Sequence, residues 1–264
     1  MRQSKTDSVK GLPFRFLTAI CLLLSQALLA QDITTYQYRQ VPPDKTGEFI
    51  KRETTYWSKV ARKAIDKGTL TFWALLERVD GADVQNAPNF LFVNTYTNVD
   101  GNMGDVWNPA SLFPKIPISQ ISTDAMSKVT GEYFLQTQGW QQSGKAVPDK
   151  DFQYIIMVYH NSPNPGSFIE MENRHWSPFI KAAMDNSETK QMAWGNAAVL
   201  APSGPDVKFN SVSYDLFPTL QAALMQDWSP NTKFPTAGLD SLAKMASSMP
   251  GREIYRIVKV ESKQ

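Results

Sequence analysis

Two glutamates carry the first chemical signal in this 264-residue chain. Glu53 stands four residues after Phe49 and four before Trp57, and Glu172 repeats the arrangement between Phe168 and Trp176. On a helix these spacings place each carboxylate on the same apolar stripe as its aromatic neighbours. A carboxylate there must find a hydrogen-bond partner or take a raised pKa, because burying it charged and alone is costly. It is then either a general base or polar anchor in a pocket between helix and sheet, or a structural bond to a strand hydroxyl or amide.

His175 lies three residues after Glu172, one helical turn away. Glu172 and His175 therefore form a candidate catalytic pair, able to exchange protons or to offer one axial ligand to a haem iron. The alternative is a surface imidazole beside a carboxylate. Tyr56 takes the place of His175 after Glu53, so such a site would exist only once. The other histidine, His160, precedes Asn161-Ser162-Pro163-Asn164-Pro165. Trp57 and Trp176 either wall an aromatic ligand or pack as core. Trp107 and Trp228 open two W-x-P-x-x-x-F-P segments, 107–114 and 228–235, which plug or lid the end of a cavity.

These pairs belong to a duplication. Gly47, Phe49, Glu53, Trp57, Phe90 and Val93 meet Gly166, Phe168, Glu172, Trp176, Phe209 and Val212 at an offset of 119, and the tryptophan segments repeat at 121. A period of that size makes each copy a domain-sized unit rather than a solenoid repeat. In copy one, the patterns predict a strand over 33–41, a helix over 46–67, a hairpin of 69–79 and 89–96, a short helix near 123–129 and a strand over 132–137. Copy two predicts strand 154–160, helix 167–184, hairpin 190–199 and 208–216, helix 239–248 and strand 254–260. The expected fold class is α+β: two tandem ferredoxin-like β-α-β-β-α-β repeats, 31–148 and 149–264.

Residues 1–30 read as a signal peptide, with Arg2, Lys5, Lys10 and Arg15 before an apolar run and a cleavage point after Ala30. The apolar run is too short to span a bilayer, so the mature chain is expected in the periplasm or outside the cell, without a membrane span. Cys21, the only cysteine, falls in this segment, which excludes disulfides and thiolate chemistry from the mature chain. The net charge is +2 with scattered basic residues, which gives nucleic acid no footprint. Zincin, nucleophile-elbow, phosphate-loop and dinucleotide motifs are missing, and Asp80, Asp83 and Asp100 do not have calcium-loop spacing.

The F-I-x-x-E-x-x-x-W pattern of 49–57 and 168–176 resembles that of exported bacterial proteins of the dimeric α+β barrel superfamily. The resemblance implies an intrachain pseudo-dimeric barrel, with two sheets packed face to face in a monomer. It also implies a choice of chemistries, since members include cofactor-independent monooxygenases, haem-handling proteins, isomerases and ligand-binding modules. The leading expectation is an exported protein that binds a small apolar or aromatic molecule through Glu53, Trp57, Trp107, Glu172, Trp176 and Trp228. The alternatives are a cofactor-independent monooxygenase or haem-handling enzyme using Glu172 and His175, and an accessory protein with packed pockets.

Overall fold

Alternation of large and small side chains builds the strands. In the computed structural model, which describes residues 32–81, 87–101, 103–204, 206–245 and 248–263, β1 (Ile33–Gln40) turns Thr34, Tyr36 and Tyr38 to one face. The expected signal segment, Cys21 and Asp83 lie outside the described residues. The hairpin strands are β2 (Leu70–Arg78) and β3 (Phe90–Tyr96), followed by β4 (Lys128–Gln142). Copy two supplies β5 (Tyr154–Asn161), β6 (Ala193–Ala201), β7 (Ser211–Phe217) and β8 (Ser248–Ser262).

The eight strands form one closed antiparallel barrel in the order β1-β3-β2-β8-β5-β7-β6-β4. This corrects the expected fold class of two ferredoxin-like repeats with sheets packed face to face. Pairing across the copies is the reason. The last strand of each copy is 15 residues long, longer than the expected 132–137 and 254–260. Each pairs with the other copy along its C-terminal half, β4 with β6 from Phe134↔Ala201 to Gln142↔Ala193 and β8 with β2 from Tyr255↔Arg78 to Ser262↔Phe72. Closure removes the free edges that two separate sheets would expose. The expected helix near 123–129 is likewise corrected: β4 begins at Lys128, leaving a one-turn helix at Ile118–Ile121 and a 3-10 turn at Asp124–Met126.

Two long helices lie outside the barrel. Helix α1 runs over 46–66 and α2 over 165–185, and each contains a π turn, Glu53–Trp57 and Glu172–Trp176. Both π turns begin at the buried glutamate, so one extra residue enters each helix where the carboxylate turns inward. Helices α3 (Leu220–Met225) and α4 (Thr236–Met245) complete copy two. Among the described residues no helix is long and apolar enough to cross a membrane.

A matched asparagine clamp finishes the first strand of each copy. Asn89 accepts from Val41 N at 2.8 Å and donates to Val41 O at 2.9 Å; Asn210 does the same for Ser162 at 3.0 and 2.7 Å. Each amide replaces the ladder partner lost where the strand ends. This clamp and the Tyr38–Tyr159 pair follow a separation of 121, whereas the glutamates follow 119. The strands are thus shifted by two residues from the helices, so the expected gapless match of Phe90 to Phe209 does not hold in the barrel.

Candidate functional site

The barrel interior is filled at one end. Tyr38 donates to the Tyr159 hydroxyl at 3.0 Å, and Tyr159 and Tyr255 donate to Glu253 Oε2 at 2.8 and 2.6 Å. Arg78 reaches Glu253 Oε1 at 2.7 Å and Asp80 at 2.8 Å. Phe209 packs between Tyr133 and Tyr159, with centroids 4.5 and 4.6 Å away. This plug is polar but internally satisfied, as a buried network must be.

Beyond the plug the barrel opens into a cavity of about 680 Å³. That volume suits a small organic molecule. Consecutive strands β2, β8 and β5 contribute an apolar wall that includes Phe72, Ala74, Leu76, Ile257 and Met157. Facing it, β1, β4 and β7 bring Tyr36, Thr137 and Tyr214. Trp140 near the end of β4 borders the mouth together with Phe152 and the one-turn helix Pro148–Asp151 of the β4–β5 connection. Trp140 lies edge-on to Phe152 at 6.3 Å and tilted to Tyr214 at 6.1 Å, yet is 45% exposed.

Tyr36 is only 6% exposed, lines this cavity, and makes no side-chain hydrogen bond among the described residues. Tyr36 is not among the sealed, unpartnered polar groups, so its hydroxyl is open to the cavity, where water or a ligand can take up its hydrogen bond. Burial pushes its pKa well above the ordinary tyrosine value, and the neighbouring Tyr214 and Tyr38 add to the shift. Tyr214 is pushed up to about 12 by burial, against the opposing pull of a Thr137 hydrogen bond. At neutral pH both are hydrogen-bond donors, not bases.

Tyr214 has its position because residue 195 is glycine. A Cβ on Gly195 would lie 2.5 Å from the Tyr214 ring and 2.6 Å from its hydroxyl. At the strand separation of 121, copy one has Ala74 and Val93 in these two places. Copy two has therefore lost a methyl from one strand and gained a phenol on the next.

The glutamates singled out by sequence lie on the other side of the sheet. Glu53 Oε1 accepts from Thr123 at 2.6 Å, while Glu172 accepts from Ser213 at 2.6 Å and Asn196 at 3.0 Å. Burial raises both to about 7, with these bonds opposing. Trp57 and Trp107 meet edge to face at 6.5 Å, and Trp176 and Trp228 at 6.3 Å. All four are half-buried in the helix layer and none lines the barrel cavity. The tryptophan segments thus brace the helices. Glu172 and His175 share no hydrogen bond or ion pair among the described residues; His175 instead abuts Gly238 of α4, where a Cβ would come within 2.7 Å of it.

The histidine near Glu172 is His160, whose Nε2 lies 3.2 Å from Ser213 Oγ. Burial lowers its pKa to about 4, so it is neutral at physiological pH. Haem, which the resemblance allows, does not fit these donors: neither histidine lines the cavity, one being held by Ser213 and the other against α4. Among the described residues no group of three His, Cys, Asp or Glu side chains could hold a metal ion.

No family model and no curated protein matches this chain. Solved structures do match. An anthrone oxidase-like protein superposes with a TM-score of 0.55 at 13% identity, covering 88% of this chain and 93% of its own. A candidate monooxygenase from Fusobacterium nucleatum gives 0.55 at 15% identity, with coverages of 88% and 94%. Another from Lactobacillus acidophilus gives 0.53 at 8%, with 88% and 96%. The chain has the dimeric α+β barrel fold. At these identities the dimeric α+β barrel is shared as a fold, and the activities of the neighbours remain theirs.

The cavity-lining residues escaped the sequence reading because inward-facing apolar and aromatic side chains look like any core. One signal was available: comparing the copies at 121 rather than 119 exposes the paired change to Gly195 and Tyr214.

Proposed function

We propose that this chain is an exported carrier or receptor that holds a small, mainly apolar aromatic molecule inside its barrel. The observation that carries this reading is the cavity of about 680 Å³, bordered by Trp140 and Phe152 and walled by Phe72, Leu76 and Met157. Covering its apolar wall with an apolar ligand is favourable, by roughly 25 cal/mol per Å² of apolar surface covered. Export rests on the basic and apolar pattern of residues 1–30.

Oxidation of the bound molecule by dioxygen without a cofactor is the second reading, favoured by the anthrone oxidase-like and candidate monooxygenase neighbours. Such chemistry begins with removal of a substrate proton. Tyr36 and Tyr214 are too weakly acidic to act as bases at neutral pH, and the buried carboxyls Glu53 and Glu172 do not line the cavity but bond to Thr123 and to Ser213 and Asn196, which leaves Asp149 as the carboxylate on the cavity lining. Binding is the primary reading because the cavity itself carries it, whichever chemistry follows.

Native mass spectrometry of the protein purified from its own cells tests it. A retained organic molecule that is absent from an Ala74→Phe variant, whose larger side chain enters the cavity, is the expected result. Equal retention by both proteins contradicts the barrel site.

A further inference from the structure

We propose that Tyr36, Thr137 and Tyr214 form a hydroxyl wall that selects, among apolar aromatic molecules, those carrying a hydrogen-bond-accepting oxygen, with the Tyr36 hydroxyl as the principal donor. This rests on the barrel-binding reading and adds the polar half of the ligand to it. Three observations carry it. Tyr36 is more than nine-tenths buried, lines the cavity, and has no side-chain hydrogen bond among the described residues. The three residues sit on β1, β4 and β7, within the consecutive run β7-β6-β4-β1, so their hydroxyls share one side of the barrel. The opposite strands β2, β8 and β5 contribute Phe72, Leu76, Ile257 and Met157, which offer a ligand oxygen nothing, while Lys259 and Ser262 of β8 also reach the lining.

Gly195 is the fourth member of this device, as a positioning residue. The absence of a Cβ lets the Tyr214 ring lie against β6, where any side chain at 195 would come within 2.5 Å of it. Copy one, with Ala74 and Val93 in the equivalent places, supplies only apolar surface there. The two walls thus differ because the copies have diverged at these positions.

Equilibrium dialysis of the full chain against two probes of the same shape tests this directly: 2-acetylnaphthalene, which carries a carbonyl, and 2-isopropenylnaphthalene, which carries a methylene in its place. The wild type is expected to bind the ketone about tenfold more tightly, the net worth of one hydrogen bond exchanged with water. Tyr36→Phe should reduce the ketone to the affinity of the hydrocarbon while leaving the hydrocarbon unchanged. Should that variant lose the hydrocarbon too, Tyr214→Phe takes over the test, and a reduced ketone preference supports the wall. Equal binding of the two probes by the wild type, or an undiminished preference in the variants, overturns the hydroxyl wall while leaving the barrel site intact. Binding of neither probe overturns both.

Discussion

Glu53 and Glu172 keep their protons to about pH 7 because burial outweighs their bonds to Thr123, Ser213 and Asn196. A carboxyl whose folded pKa exceeds its unfolded value contributes stability fully below the unfolded pKa and loses it as pH rises through the folded one. Shifts from 4.5 to about 7 correspond to on the order of 3 kcal/mol each. His160, lowered from 6.5 to about 4, works the other way: its contribution is present above 6.5 and is lost as pH falls through 4. With Asp215, likewise raised to about 7 by burial, the three carboxyls outweigh the single imidazole, so denaturant melts should show stability falling from pH 5 to pH 8. The double variant Glu53→Gln, Glu172→Gln should reduce that slope, and an unchanged slope would show that these groups do not titrate as their burial requires. Their burial was legible in the sequence from the F-x-x-x-E-x-x-x-W spacing. Their partners were not, because Thr123 and Ser213 come from segments distant in sequence and carry no periodic signal.

The elements repeat this division between what periodicity carries and what it does not. Apolar spacing located both long helices, but the π turns at Glu53–Trp57 and Glu172–Trp176 are local departures invisible to a 3.6-residue pattern. Because Trp176 packs against Phe179 and Trp228 in the helix layer, Trp176→Ala should cost about 2–4 kcal/mol in unfolding free energy and leave probe affinity within about twofold. A larger affinity loss would move the binding site to the space between helix and sheet. Gly195→Val is expected to do the reverse. It forces the Tyr214 ring aside, costs about 1–3 kcal/mol by overpacking, and lowers probe affinity more than Trp176→Ala does, which parallel melts and dialysis will compare.

At the scale of the molecule, the duplication was plain in the sequence but closure of the barrel was not. Strand periodicity places β4 and β8 but carries no information on their partners, and the pairing of β4 with β6 and β8 with β2 joins segments distant in sequence. This pairing makes each copy the completion of the other. Segments 32–147 and 148–264, expressed separately, should fail to give folded monomers and should recover β-sheet circular dichroism when mixed; a stable folded monomer from either segment would contradict mutual completion. The cavity exists only inside the closed barrel, which ties architecture to binding. The most direct test of that link is equilibrium dialysis of 2-acetylnaphthalene with the wild type and with an Ala74→Phe variant that keeps its circular dichroism and melting temperature. Saturable one-site binding by the wild type that disappears in the filled variant is the predicted result. Absence of saturable binding, or equal binding by the filled variant, would contradict a ligand site inside the barrel.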